Sequence, residues 1–299
     1  MVTVLVTGCN GFIGRYVCAE LKAKNYNVIG LSREQTHVFN VDKYIQADVT
    51  ADDLQNCVTE QIDSCDVIVH TAAKISSDNF DKELISVNCI GAGNIVHLAQ
   101  KLHCKKIINT SSAPIIGRPL VHPITEEHPI APLSLYHITK VAQEHIFNLA
   151  EQVGILAINV RISSPIGVGM NSKTILPVFL HQCLNNQPLT IVGKGNRKQN
   201  YIDVRDVALG IEKCISVEAA HACYNITSDK TISNLDLAKQ CIEWTNSKSE
   251  IVFNNKPDKE DDVVWDFSIA KAEKELGFVP EYTLHDSVLT ILQNWENLN

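Results

Sequence analysis

The sequence predicts an α/β protein built on a doubly wound parallel sheet, and three observations support this class. Short apolar runs rich in β-branched residues, such as Val2–Thr7, alternate with longer segments of helical periodicity, such as Phe12–Lys24. Strands that are apolar on both faces are typical of a parallel sheet covered by helices. After Pro165, glycine, proline and asparagine become more frequent. We therefore expect a sheet domain over residues 1–165 and a smaller C-terminal α/β lobe over residues 166–299.

The alternation of strand and helix assigns the elements in order. The expected strands of the first domain are Val2–Thr7, Asn27–Leu31, Lys43–Gln46, Asp66–His70, Lys105–Thr110 and Ile155–Arg161. Its expected helices are Phe12–Lys24, Asn79–His103 and Ser134–Val153. In the second lobe the expected strands are Leu189–Val192, Tyr201–Val204 and Cys223–Ile226, and the expected helices are Leu176–Asn185, Val207–Val217, Asn234–Trp244, Ile269–Leu276 and Leu284–Asn297. Part of 200–225 can return to the large sheet.

Composition argues against several classes of protein. The 26 basic and 34 acidic residues give a net charge of −8, which disfavours binding to nucleic acid or to an anionic membrane. No apolar run approaches the roughly 20 residues of a membrane helix. No basic segment precedes an apolar one at the N-terminus, so we expect a cytoplasmic protein. The ten cysteines include no CxxC pair, which predicts free thiols and no metal site.

A glycine-rich segment, Thr7–Gly14, joins the first strand to the first helix. Gly8 permits a tight turn, Gly11 lets the backbone approach a phosphate, and Gly14 lets the helix pack closely on the strand. The helix N-terminus offers unpaired N–H groups and the positive end of its dipole to a pyrophosphate. The segment therefore predicts dinucleotide binding.

Together with Thr7–Gly14, several later motifs resemble the extended short-chain dehydrogenase/reductases of the nucleotide-sugar epimerase and reductase type. These motifs are Asp66–Ala73, Val87–Asn94, Ser111–Gly117, Tyr136–Lys140, Arg161–Pro165, Tyr201–Val207 and Ser268–Pro280. Each motif alone is common, but their order is specific. The resemblance implies a Rossmann-type NAD(P)-binding domain, a C-terminal substrate-binding lobe and a nucleotide-linked sugar as substrate.

The resemblance also implies three catalytic residues, Ser112, Tyr136 and Lys140. Tyr136 and Lys140 are four residues apart, so they share one face of the expected helix. A tyrosine with a pKa near 10 is a poor base at neutral pH, and lowering that pKa by about 3 units needs roughly 4 kcal/mol of phenolate stabilisation. The Lys140 ammonium and a nicotinamide cation are expected to supply it. By family position, Lys140 also holds the nicotinamide ribose and Ser112 hydrogen-bonds the reacting oxygen.

The choice of cofactor depends on the end of the second strand. Ser32 and Arg33 stand where enzymes that use NAD usually carry an aspartate, and both side chains can bind a phosphate, so NADP is favoured. The alternative is that Arg33 is an exposed charge and that Glu34 binds the ribose of NAD. The other cofactor-binding residues that the resemblance implies are Gly8, Asn10, Gly11, Phe12, Ile13, Gly14, Asp48, Val49, Thr71, Ala72, Ala73, Asn88, Tyr136 and Lys140.

The substrate residues depart from the family pattern in ways that affect function. Ala113 and Pro114 replace the Asp-Glu pair of the 4,6-dehydratases and have no proton chemistry, so dehydration is disfavoured. Ser164 stands where an asparagine usually faces the substrate, and Gln199 replaces an arginine near the diphosphate, with Arg197 close by. The expected substrate contacts are Ser111, Ser112, Ser164, Arg197 and Gln199.

Three functions remain open at this point. The first is reduction of a nucleotide-linked 4-keto sugar with NADP, and the second is nucleotide-sugar 4-epimerisation with tightly held NAD. The third is a non-catalytic protein that senses a cofactor. The resemblance also implies a homodimer formed through the helices Asn79–His103 and Ser134–Val153, with Val141, Ile146, Leu149 and Val153 and with Leu84, Val87, Ile95, Leu98 and Leu102 as apolar surface.

Overall fold

A computed structural model describes residues 1–36, 41–219, 222–254 and 256–295. The strands in this part of the chain are β1 Thr3–Thr7, β2 Asn27–Ser32, β3 Lys43–Gln46, β4 Val67–His70, β5 Lys106–Ser112, β6 Leu156–Ile162, β7 Ser164–Ile166, β8 Leu189–Ile191, β9 Lys198–Asp203, β10 Ala222–Ile226, β11 Thr231–Ser233 and β12 Ile251–Phe253. The helices are α1 Phe12–Ala23, α2 Leu54–Thr59, α3 Lys82–Ile85, α4 Gly91–Lys101, α5 Leu135–Leu149, α6 Ile175–Leu184, α7 Val204–Lys213, α8 Asn234–Trp244, α9 Ala270–Leu276 and α10 Leu284–Gln293.

The large sheet has seven strands in the order β10-β6-β5-β4-β1-β2-β3, and every pairing in it is parallel. Successive residues of β1 face opposite layers. Val6 packs with α1 and α7 on one side, and Leu5 packs with α4 and α5 on the other. Both residues are fully buried, which explains the continuous apolar run in the sequence. The predicted fold class is confirmed.

A third apolar cluster lies outside the large sheet. It joins α6, α8 and α10 through residues such as Leu180, Leu237 and Ile291. Beside it lie a three-stranded sheet, β11-β9-β7, and a two-stranded sheet, β12-β8. Strand β10 lies in the large sheet beside β6, although it follows these elements in the chain. The division of the chain at residue 165 stays a prediction.

Several element boundaries differ from expectation because local hydrogen bonds decide them. The segment expected as one helix over Asn79–His103 begins at Lys82, where Asp81 caps the first turn, and Ser86–Ile90 forms a π-helical turn. Helix α7 begins three residues early, because the Asp203 side chain accepts the N–H of Arg205. Residues 296 and 297 of the expected last helix lie outside the described residues.

The strand order reverses between β1 and β4, because β1 continues to β2 on one side and β4 to β5 on the other. Open parallel sheets bind ligands in the crevice at such a point, beyond the carboxyl ends of the strands. Here Thr7, His70 and Ser112 end β1, β4 and β5. Among the described residues, no helix has both the length and the apolar character needed to cross a membrane.

Candidate active site

A cleft of about 700 Å³ opens at this reversal point. Nine of the expected cofactor residues line it: Gly8, Gly11, Ser32, Arg33, Asp48, Val49, Thr71, Ala72 and Ala73. Glu34, the alternative contact for the ribose of NAD, also lines it, together with four residues that the sequence does not indicate: Leu31, Ala47, Lys74 and Val87. The sequence motifs therefore meet in one place, as their positions at strand ends predict.

The glycine-rich turn fits a pyrophosphate because its backbone has no room for side chains. Gly8 has φ of +67°, and a Cβ on it would lie 2.7 Å from the Ala72 nitrogen. A Cβ on Gly14 would lie 2.2 Å from the Gly8 oxygen. Helix α1 begins after Gly11 with no side-chain cap and no acidic residue in its first turn. Its first N–H groups are therefore suited to an anion.

Three of the expected cofactor residues shape the cleft without lining it. The Asn10 amide donates to the Thr36 carbonyl at 2.9 Å and to the Ser32 hydroxyl at 3.1 Å, which holds the segment after β2. Phe12 packs against the third apolar cluster, which joins α6, α8 and α10, and Ile13 packs beside the large sheet.

The far end of the cleft carries a carboxylate. Glu34 accepts hydrogen bonds from the Ser32 hydroxyl and, at 3.4 Å, from the Asn10 amide. The Ser32 hydroxyl, helped by Asn10 and Arg33, lowers the pKa of Glu34, so the side chain is ionised at neutral pH. The Arg33 side chain is exposed at the rim. Asp48 lines the same cleft while one of its oxygens caps the turn at Thr50, at 2.8 Å.

Ser112 and Tyr136 lie close to each other at the end of β5, and the Ser112 hydroxyl lowers the pKa of the Tyr136 phenol. Burial has the larger effect and raises the pKa of Tyr136 to about 12. The expected lowering of this pKa is therefore absent from the protein alone, because desolvation disfavours the phenolate. In this state Tyr136 is a proton donor.

Lys140 lies one turn below Tyr136 and is buried. Its ammonium donates to the Thr110 carbonyl at 2.8 Å and to Gln143 Oε1 at 2.9 Å. Burial lowers the pKa of Lys140 to about 8, against an opposing effect of the Glu144 carboxylate. The charge that the phenolate needs is therefore present at neutral pH and is lost in mildly alkaline solution.

Asn88, one of the expected cofactor contacts, has its side chain hydrogen-bonded within the protein, and its contact with a cofactor stays a prediction. It lies fully buried in the π-helical turn. Its side chain accepts the Lys74 N–H at 2.9 Å, and it donates to the Lys74 carbonyl at 3.0 Å and to Thr139 Oγ1 at 2.9 Å. Asn88 therefore ties the segment after β4 to helix α5 and positions both walls of the site.

A second cavity of about 940 Å³ lies at the start of α5, where Ser134 and His137 line it. Three expected substrate residues line it: Ser164, Arg197 and Gln199. Ser164 Oγ donates to Gln199 Oε1 at 3.3 Å, and Arg197 forms an ion pair of 2.6 Å with Glu260. The expected contact Ser111 is buried within β5 and is not part of this wall.

Sequence reasoning missed other residues of this cavity. His137, which follows Tyr136, lines the cavity, and so do Trp265 and Phe267, whose stacked rings have their centroids 5.9 Å apart. An apolar pair within an acidic segment is a signal that could have indicated a ligand wall. The position of His137 inside the Tyr–Lys motif could likewise have indicated that its side chain lines the cavity.

Comparison with known proteins identifies the family of this chain. The family model described as "NAD dependent epimerase/dehydratase family" matches residues 4–226. A Methanocaldococcus jannaschii protein provisionally named a UDP-glucose 4-epimerase is 28% identical over 308 aligned positions, covering 99% of each chain. The dTDP-4-dehydro-6-deoxyglucose reductase of Escherichia coli is 24% identical, covering 97% of this chain and 96% of the relative.

Among solved structures, the UDP-glucose 4-epimerase of Thermotoga maritima with UDP-glucose matches with a TM-score of 0.89 and 21% identity, covering 99% of each chain. That likeness shows the shared fold. The family match covers most of the chain, and the resemblance inferred from the motifs is confirmed. The chain belongs to the NAD dependent epimerase/dehydratase family.

Proposed function

We propose that this chain transfers hydride between a nicotinamide cofactor and a nucleotide-linked sugar, with reduction of a 4-keto sugar as the reaction. The observation that carries the proposal is the position of Tyr136 beside Ser112, in a protein that has a dinucleotide cleft at the strand ends and a second cavity lined by His137, Ser164, Arg197 and Gln199. Reduction of a ketone needs a proton donor at the oxygen, and Tyr136 is protonated at neutral pH.

Each residue of the site then has a chemical role. The nicotinamide supplies the hydride. Tyr136 gives its proton to the sugar oxygen, Ser112 hydrogen-bonds the same oxygen, and the Lys140 ammonium stabilises the resulting phenolate. Dehydration of the sugar is not part of the proposal, because Ala113 is buried and Pro114 has no group that can move a proton.

A second candidate function, 4-epimerisation with tightly bound NAD, is favoured by Glu34. An ionised carboxylate at the end of the cleft accepts hydrogen bonds from the ribose hydroxyls of NAD and repels the 2′-phosphate of NADP. The family is NAD-dependent, which agrees with this cofactor. Both reactions use Ser112, Tyr136 and Lys140, and the same residues argue against a purely sensing role.

Mass spectrometry of the nucleotide released from purified protein distinguishes the two reactions. Stoichiometric NAD in the purified protein supports the epimerase. Protein without bound nucleotide that oxidises added NADPH or NADH when a 4-keto nucleotide sugar is present supports the reductase.

Replacing Tyr136 by phenylalanine removes the proton donor and keeps the packing of the ring. We expect Tyr136→Phe to lower kcat by about 10²–10⁴-fold, the usual contribution of a general acid, with cofactor binding retained. Steady-state kinetics and cofactor titration measure both quantities. Activity within tenfold of the wild type would exclude Tyr136 as the acid.

A further inference from the structure

Gln143 links the catalytic lysine to the π-helical turn. It lies one turn after Lys140 on α5 and is fully buried. Its Oε1 accepts from the Lys140 ammonium at 2.9 Å, and its Nε2 donates to the Asn88 carbonyl at 3.3 Å. One amide therefore bridges an ammonium and a carbonyl that belong to two different elements.

The hydrogen bonds to Gln143 and Thr110 fix the orientation of the Lys140 ammonium. An ammonium has three N–H donors. One goes to Thr110 on β5 and one to Gln143, which leaves one N–H donor of the ammonium for a further acceptor. Both acceptors are neutral, so the environment of the ammonium is largely uncompensated, which agrees with a pKa of about 8.

The other charged or titratable groups around Lys140 come from three elements. Glu144, also on α5, raises the pKa of Lys140, but its carboxylate is held by Arg161 of β6 at 2.9 Å. His70 of β4 is fully buried, and burial together with Lys140 lowers its pKa to about 3, so it is neutral. Tyr136 is also neutral. Gln143 is thus the contact through which the ammonium can be tuned without disturbing an ion pair.

We propose that Gln143 is a positioning residue that orients Lys140 toward Tyr136 and keeps its ammonium weakly compensated. The effect of Gln143 on catalysis rests on the function proposed above, in which Tyr136 and Lys140 act on the substrate. It concerns the geometry of this chain and does not depend on which sugar is the substrate.

A pair of substitutions at this position tests the proposal. Gln143→Glu and Gln143→Met both remove the donor to Asn88, so effects of that loss are shared. The carboxylate in Gln143→Glu raises the pKa of Lys140, and the alkaline limb of the kcat profile moves up by about one unit or more. Gln143→Met removes an acceptor, so the limb moves down and kcat falls about tenfold. Gln100→Glu, at an exposed position of α4, is the control and leaves the profile unchanged.

The pH dependence of stability gives a readout that needs no activity. The folded pKa of Lys140, about 8, lies below the unfolded value of 10.5, so the unfolded chain binds more protons between these values. The free energy of unfolding therefore gains a contribution that rises with pH over this window. Denaturant titrations should show a smaller rise in Gln143→Glu and a larger one in Gln143→Met.

Two outcomes separate this inference from the proposed function. Shifts of the two variants in the same direction, or no shift in either readout, would overturn the role of Gln143. Retention of activity in Tyr136→Phe would overturn the catalytic assignment alone, because the stability readout would still report on the bridge between Gln143 and Lys140.

Discussion

The choice between NAD and NADP depends on three consecutive polar side chains at the end of β2, Ser32, Arg33 and Glu34. Ser32 is buried and holds the Glu34 carboxylate, whereas Arg33 between them points to the exposed rim. The two charges favour different cofactors, since a carboxylate binds ribose hydroxyls and a guanidinium binds a 2′-phosphate. Selectivity between NAD and NADP therefore depends on the relative effects of Arg33 and Glu34, and the sequence alone does not decide which effect is larger.

Single substitutions at Arg33 and Glu34 measure the effect of each residue on cofactor selectivity. Arg33→Ala is expected to weaken NADP binding by roughly 1.5–3 kcal/mol, the scale of a charge-assisted hydrogen bond, and to leave NAD nearly unchanged. Glu34→Gln is expected to weaken NAD and to strengthen NADP, because it removes the negative charge and keeps the shape. Fluorescence titration of both cofactors against the wild type and each variant measures this. Equal losses for both cofactors in Arg33→Ala would exclude Arg33 as a selector.

At the scale of the elements, a buried ion pair attaches α5, the helix of the proposed catalytic residues, to the sheet. Arg161 of β6 donates to both oxygens of Glu144 on α5, at 3.0 and 2.9 Å, and also to the Glu126 carbonyl at 2.9 Å. Both side chains are 7% exposed. Because Tyr136 and Lys140 lie on the same helix, this pair fixes where the catalytic groups sit relative to the strand ends.

Removing only one partner of the ion pair should lower the stability of the protein strongly. We expect Glu144→Ala to lower the free energy of unfolding by about 3–5 kcal/mol, because it leaves the Arg161 charge buried without its partner. Lys239→Ala, which removes the exposed pair with Asp236, is the matched control and should cost less than about 1 kcal/mol. Urea denaturation followed by circular dichroism compares them. A similar, small loss in both variants would show that the buried pair adds little.

At the scale of the whole molecule, the apolar residues exposed on the helical segments 79–103 and 134–153 are mostly not the ones expected to form a dimer interface. Of the nine residues named for it, Leu84, Ile95, Leu98 and Leu102 are fully buried, and Val87, Val141 and Ile146 pack on clusters within the chain. Leu149 and Val153 are 59% and 50% exposed. Ile85, Ile90 and Ile138 are also exposed on the same helical segments. The helical stripes thus serve the chain's own core, and other residues supply the outer face.

The homodimer stays a prediction, and this outer face allows a sharp test. We expect light scattering with size-exclusion chromatography to give twice the 33.1 kDa chain mass at micromolar concentration. Leu149→Glu should produce a monomer, because it places a charge in an apolar contact. Val279→Glu, at an exposed site after α9, is the control and should remain dimeric. A wild-type monomer at every concentration would rule out the dimer.

The sequence alone was sufficient for the parts of this protein whose signals are local. Apolar runs predicted the strands of the large sheet, the glycine spacing predicted the turn after β1, and the four-residue spacing placed Tyr136 and Lys140 on one helical face. These features depend on neighbours within a turn or a strand, which the chain order displays directly.

Only the tertiary structure decided how distant segments meet. It buried Asn88 as a link between two segments, left Ser111 outside the second cavity and brought Gln143 to Lys140 and Asn88. It also raised the pKa of Tyr136, because desolvation depends on everything packed around the phenol. Burial and hydrogen bonding between segments follow from packing in three dimensions. The hydrophobic periodicity of one segment does not indicate which other segment packs against it.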